Sequence, residues 1–455
     1  MADAVRALTP VLTARLIGPP AGATLRAMRA RLPLLPLLFA ACATGETLDD
    51  GRLRPDPPGA DALVSGTPGG NGGATPGAGG RLFFRAGADG FVATAAGTEV
   101  RMICAGARPV PDAEGGRVLC VPDSDAQPLA LYDLAADVVI ETYADWQLSA
   151  DRPPRLSPDG GKIAVRVIDE GGADAVRVYD DGGNTVAETA AFEVIAFPGP
   201  DTVLLDRQQT AVWVLGSEPV TLQGGGAMPV GPDPAGAVYQ ISAPQPKVLF
   251  VDGLGGAPRE LGMGSLGGAA GTRVLLEVGN TARVLDVGDP TLDRAVTLPS
   301  VGFDRQRGVR FESPEALLSE VQTVSACPGG ASQRVSVQTR WHRVIDGEAE
   351  TVAQTDTGHR AWVDRAGEWA LVLDLDACGA PQGTGRVVNV KDDAKSRALD
   401  ALLAAGESPQ AGAVSPDGRF VALALSDGVR VIDLASDYTV RDAARGSAGA
   451  DIVFR

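Results

Sequence analysis

Short runs of branched apolar residues, each opened by a polar turn, recur along most of this chain. The clearest is Leu156-Ser157-Pro158-Asp159-Gly160-Gly161-Lys162-Ile163-Ala164-Val165-Arg166-Val167. It returns near the far end as Val414-Ser415-Pro416-Asp417-Gly418-Arg419-Phe420-Val421-Ala422-Leu423. In both copies proline is preset for the first central turn position and glycine closes the fourth, so a β-turn feeds an apolar strand. A second run follows each time, Val176-Arg177-Val178-Tyr179-Asp180 and Val429-Arg430-Val431-Ile432-Asp433-Leu434, again ending on aspartate. The pattern predicts paired antiparallel strands repeated along the chain.

Fainter copies lie between the two. Turn-then-strand stretches occupy 197–205, 230–239, 271–276, 313–318 and 364–372. With these five in place, Asp159 and Asp417 are 258 residues and six steps apart, a mean of 43. That matches the roughly 40 to 45 residues of a four-stranded propeller blade. Another unit runs from Pro111 to Leu134, and residues 79–94 begin in mid-unit without a leading strand. The last residues, Asp451-Ile452-Val453-Phe454-Arg455, are a strand lacking its following turn. The two incomplete ends complement one another, so the C-terminal strand is expected to complete the N-terminal blade and close the ring. Strict counting gives nine units. Because common propellers have about 4 to 8 blades, the expectation is an all-β single propeller of eight blades over 81–455, with one faint unit spurious and seven or nine as the neighbouring counts.

One stretch departs from the strand rhythm. Residues 393–406 begin with aspartate, space Leu399, Leu402 and Leu403 helically and end at Gly406, which predicts one short amphipathic helix packed on the rim where an outer strand is due.

The Ser-Pro-Asp-Gly units at Ser157, Pro158, Asp159 and Gly160 and at Ser415, Pro416, Asp417 and Gly418 resemble the WD-like repeats of TolB-type propellers of bacterial envelopes. The resemblance implies the architecture. It carries no partner over, because the α/β domain that precedes the TolB propeller is replaced here by a Gly/Pro tether.

The N-terminal residues change where such a ring would sit. Arg29 and Arg31 precede an apolar run, 32–41, and then Cys42. This order resembles a bacterial lipoprotein signal, which makes 1–41 a signal region, with Met28 as an alternative start, and Cys42 the lipidation site. A run of about 10 apolar residues is too short to span a bilayer. Residues 42–80 are rich in Gly, Pro, Thr and Ala and form a flexible tether. Residues 1–41 hold five arginines and one aspartate, so beyond them 35 basic and 56 acidic side chains remain, a net charge of −21. Such a surface repels phosphate backbones and excludes nucleic acid as the expected partner.

The chemistry-bearing residues are few. Beyond Cys42 there are four cysteines, in a chain expected to be exported. Cys327 with Cys378 would staple neighbouring blades, both following inner strands of their units, and Cys104 with Cys120 would link an outer strand to the next blade's inner strand. Only His342 and His359 are present, which excludes a multi-histidine metal centre. No Gly-x-Ser-x-Gly elbow offers a nucleophile to either. Asp123-Ser124-Asp125 and Asp374-Leu375-Asp376 could face calcium but lack the ligand spacing of a calcium loop. The expected protein is a monomeric outer-membrane lipoprotein, a propeller without enzymatic activity, catalytic residue, cofactor or bound metal, whose faces bind an envelope protein or glycan. The alternative is a metal-dependent propeller hydrolase or lyase, with acidic side chains around the central channel.

Overall fold

The computed structural model describes residues 80–148, 153–242, 245–253, 256–301, 305–327 and 332–455. All of them belong to one structural unit, Asp56–Arg455. The signal region, Cys42 and the tether as far as residue 79 lie outside the described residues.

Hydrogen bonding groups the strands into eight antiparallel sheets. We number them I to VIII in chain order: 81–104, 107–143, 155–190, 193–221, 225–263, 265–297, 305–398 and 409–445. Within each, strands follow one another as a meander, and the predicted turns from 111 to 318 and at 415–418 join a sheet's first strand to its second, while that at 364–367 joins the fourth and fifth strands of sheet VII. Sheet I is the exception that closes the ring. Its fourth strand is Gly449–Phe454, which pairs antiparallel with Arg81–Ala86 through Leu82↔Phe454 and Phe83↔Val453. The complementary ends thus meet as expected.

Seven sheets have four strands and sheet VII has seven. Its central strand, Ala349–Val363, is 15 residues long and serves two modules. Residues 349–354 register against Ser332–Arg343, as in His342↔Ala349 and Gln338↔Gln354. Residues 358–363 register against Trp369–Leu375, from Gly358↔Leu375 to Val363↔Ala370. Nine turn-and-strand units therefore give eight sheets through a shared strand, with no unit spurious.

Burial follows the same partition. The apolar clusters sit at the junctions of successive modules: Phe83 with Val118 between sheets I and II, Leu119 with Ile163 between II and III, and so on to Phe84 with Val429 between VIII and I. Sheet VII holds a cluster of its own, in which Leu318 and Trp341 of one module meet Ala361 and Val372 of the other. Leu119, Ile163, Leu204 and Leu275 are fully buried, each worth about 1.5 to 3 kcal/mol relative to an exposed side chain.

The Ser-Pro-Asp-Gly turns lock adjacent blades together. Ser157 Oγ donates to Asp159 Oδ1 at 2.6 Å and accepts from Lys162 N at 2.9 Å, and Gly160 N donates to Ser157 O at 2.9 Å. The second copy repeats this through Ser415, Asp417, Phe420 and Gly418. Gly160 and Gly418 have φ of +70° and +69°, which favours glycine. A Cβ on Gly160 would meet Asp112 Oδ2 of the preceding sheet at 2.8 Å, and one on Gly418 would collide with Asp364. Each aspartate in turn caps its own turn: Asp112 accepts from the amides of Gly116 and Arg117, and Asp364 from those of Glu368 and Trp369.

The helix expected at 393–406 does not form. Two single-turn 3₁₀ helices, Asp393–Lys395 and Leu399–Ala401, flank the short strand Arg397–Ala398, which pairs with Pro381–Asn389 as the outer strand of sheet VII. A helix of this length is marginal alone. The edge of Pro381–Asn389 offers Val387↔Arg397 pairing, and the extended path still buries Leu399 and packs Leu402 and Leu403 beside Leu371 and Val421.

Candidate functional site

The first strands of sheets III to VII are neighbours in turn, and Ala349–Val363 of sheet VII, which begins that sheet's second module, continues the row to Pro409–Val414 and the closing strand. Their edges form the wall of the central channel. Where Arg305–Ser313, Ala349–Val363, Pro409–Val414 and Gly449–Phe454 come together, a cavity of about 220 Å³ opens in that wall. Trp362, Val414, Ile452 and Val453 give it apolar surface, and Glu312 is its one charged lining residue.

Glu312 belongs to a charged cluster that spans two modules. Arg310 Nε donates to Glu312 Oε1 at 2.9 Å, its second nitrogen pairs with Glu320, and its third donates to the Ala361 carbonyl at 3.0 Å. Glu320 also accepts from Ser336 Oγ at 2.8 Å and Gln322 Nε2 at 3.0 Å. The two carboxyls are driven apart by these surroundings. Burial pushes Glu312 above the usual carboxylate range, because Arg310 compensates it only in part. Burial acts the same way on Glu320, but Arg310 and the donors from Ser336 and Gln322 outweigh it and hold that carboxyl below the range. Arg310 is held above its ordinary value, burial being outweighed by the two glutamates.

The histidines lie behind this wall, each 1% exposed. His359 has Thr339 Oγ1 and Thr355 Oγ1 2.9 Å from its two ring nitrogens. Thr355 donates its hydroxyl to the Thr357 carbonyl, so it accepts from Nδ1–H, and burial favours the neutral ring. Ser319 Oγ stands 2.6 Å from His342 Nε2. The spacing of 23 residues gave no hint of this pair, which forms because the two side chains are diagonal neighbours across adjacent strands. Ser319 is 1% exposed, so the pair packs in the blade interior. Burial, helped by Arg340, lowers His342 to about 4, and burial lowers His359 likewise to about 4.

The other residues singled out from sequence take structural roles. Both cysteine pairs are bridged, with Cα atoms 5.3 Å apart for Cys104–Cys120 and 5.4 Å for Cys327–Cys378. Cys120 lies on its sheet's second strand, and Cys327 and Cys378 follow the second strands of their modules instead of the innermost ones expected. The reason is that each module's turn comes between its first and second strands, so the loops beyond the second strands meet on the opposite face. Asp123 pairs with Arg85, Asp125 accepts from Leu148 N, Asp374 accepts from Thr384 Oγ1, and Asp376 accepts from the amides of Cys378 and Ala380. These aspartates thus serve ion pairs and turns. Among the described residues no three His, Cys, Asp or Glu side chains converge as a metal site. Nothing in one sequence singled out Glu312 or Trp362, since lining a channel depends on how four distant strands converge.

These features define a β-propeller of antiparallel sheets. Similar solved structures have WD40 and related propeller folds. A crystal structure of the eukaryotic initiation factor matches with TM-score 0.52 and 10% identity, covering 81% of this chain and 96% of that one. The WD40 domain of SCAP from fission yeast matches with TM-score 0.42, 10% identity, and 73% and 92% coverage. Apo AztD from Citrobacter koseri matches with TM-score 0.38, 14% identity, and 69% and 92% coverage. No protein-family model and no curated protein sequence matches the chain. Among the described residues no helix is long and apolar enough to cross a membrane, and the two disulfides fit a secreted or envelope protein.

Proposed function

We propose that this chain is a lipid-anchored propeller of the bacterial envelope, tethered through Cys42, that acts without catalysis as a binding scaffold for a protein or glycan. The observation supporting it is the closed ring. Pairing of Gly449–Phe454 with Arg81–Ala86 leaves the innermost edges facing one channel, with the cavity at Glu312 and Trp362 in a preorganised wall. Preorganisation reduces the ordering cost of binding. The residues that could have carried chemistry serve the fold: both histidines are buried and neutral, and Ser319 is sealed behind the wall.

The test has two arms. Envelopes from cells expressing the tagged chain are fractionated, and Cys42→Ala is expected to move the protein from the membrane to the soluble fraction. Cross-linking in intact cells, followed by purification, is expected to recover one partner in stoichiometric amount. A chain that partitions identically with and without Cys42, or that yields no partner, would overturn the scaffold.

A further inference from the structure

The cavity in the channel wall has a size, a lining and a charge, and together they specify a ligand chemistry. At about 220 Å³ it falls below the roughly 300 Å³ of a site for a drug-sized molecule, so it admits a group no larger than an amino-acid side chain. Its apolar side is built by Trp362, Val414, Ile452 and Val453, and its one charge is the Glu312 carboxylate. The charges acting on that carboxylate are Arg310 and Glu320, two carboxylates against one guanidinium. Arg310 is already committed to Glu312, Glu320 and the Ala361 carbonyl, so its single positive charge is shared between two carboxylates. Arg360, whose guanidinium lies 6.0 Å from the Trp362 ring, makes no ion pair with Glu312. The pocket therefore carries one negative charge in excess, on a carboxylate with only 20% of its side chain exposed, in a chain whose formal charge is −17. An anion would be repelled, and a neutral apolar group would desolvate further a carboxylate whose burial Arg310 compensates only in part.

We propose that this pocket binds an organic cation, an ammonium or guanidinium group on a short apolar stem, with the charge on Glu312 and the stem against Trp362, Val414, Ile452 and Val453. The proposal rests on the scaffold reading only in taking the channel wall as a binding surface. A new ion pair at a desolvated carboxylate supplies charge-assisted hydrogen bonds, and the stem covers apolar wall that water now meets. Burial already disfavours the Glu312 anion, so binding also draws a proton off the carboxyl near the upper end of its titration.

The experiment titrates the full chain with n-butylguanidinium and n-butylammonium, using n-butanol and butyrate as controls, and follows the Trp362 indole N–H resonance, assigned through Trp362→Phe. The two cations are expected to shift it saturably at millimolar concentration, and the controls to leave it in place. Glu312→Gln, nearly isosteric, is expected to weaken the cations at least about tenfold, the loss of one charge-assisted contact. Val414→Trp fills the cavity without touching the charge and is expected to abolish the shift. Tighter binding of Gly-Arg-Gly than of butylguanidinium assigns the cation to a protein side chain, and the reverse order assigns it to a free small amine or guanidine. Absence of a saturable shift in the unmodified chain, or equal cation affinity in Glu312→Gln, overturns the proposal. Either result leaves partner recovery from envelopes untouched, so the two failures are distinguishable.

Discussion

The two histidines make the stability of the ring depend on pH in a direction the geometry dictates. Both rings are neutral and 1% exposed, and burial lowers each to about 4 against an ordinary 6.5. In the unfolded chain they take up protons near 6.5, in the native ring only near 4. The stability they contribute is thus fully present above 6.5 and is lost as the solution is acidified through that window. From about pH 7 to pH 5 the loss is about 2 kcal/mol for each histidine, from the difference in protons bound. Two such losses are a large share of the roughly 5 to 15 kcal/mol that holds a domain together. The buried carboxyls of Glu312 and Asp364, held above their usual range by burial, act in the opposite sense. Because the chain has just two histidines, their ring-proton resonances can be followed individually. They are expected to keep the neutral-form shift down to about pH 5, while the urea midpoint falls. The double variant His342→Gln, His359→Gln is expected to flatten that fall, whatever its own starting stability. Resonances that titrate with midpoints between about 6 and 7, or an unchanged slope in the double variant, would refute the reasoning.

Other consequences are equally direct. Gly418→Ala puts a side chain at φ +69° and against Asp364, and is expected to cost about 1 to 3 kcal/mol in urea unfolding, with Gly160→Ala behaving alike. Arg430, 4% exposed, serves Glu407 at 2.6 Å, Asp442 at 2.7 Å and Asp427 at 3.3 Å. Arg430→Met leaves the half-buried Glu407 carboxylate without its cation, Asp442 keeping Arg445, and is expected to destabilise by about 3 kcal/mol, measured by the same assay. A chain ending at Ser447 lacks Gly449–Phe454 and exposes the edge of Arg81–Ala86. It is expected to lose cooperative thermal unfolding and to associate on size exclusion, because an unpaired edge templates further strands. Cys104→Ser with Cys120→Ser opens a loop of 16 residues and is expected to cost about 3 kcal/mol.

The repeat was legible because its signals are local. A Ser-Pro-Asp-Gly turn needs four consecutive residues, and a branched apolar run after it forms a strand in any suitable sheet. The strand class, the near 43-residue spacing, the closure by the C-terminal strand and both cysteine pairs follow from such signals. Sharing of Ala349–Val363 between two modules does not, because nothing in a run of 15 residues states where its pairing changes hands. The stretch 393–406 shows the same limit. Its leucines satisfy a helical pattern, but the free edge of Pro381–Asn389 and the groove beside Leu371 decide that they bury from an extended path. The site lies wholly on that side of the divide. Glu312 and Ile452 are 140 residues apart, and they line one cavity because the ring carries the last strand back past the wall of sheet VII. Local chemistry determined what the segments are; closure of the circle decided which of them face each other.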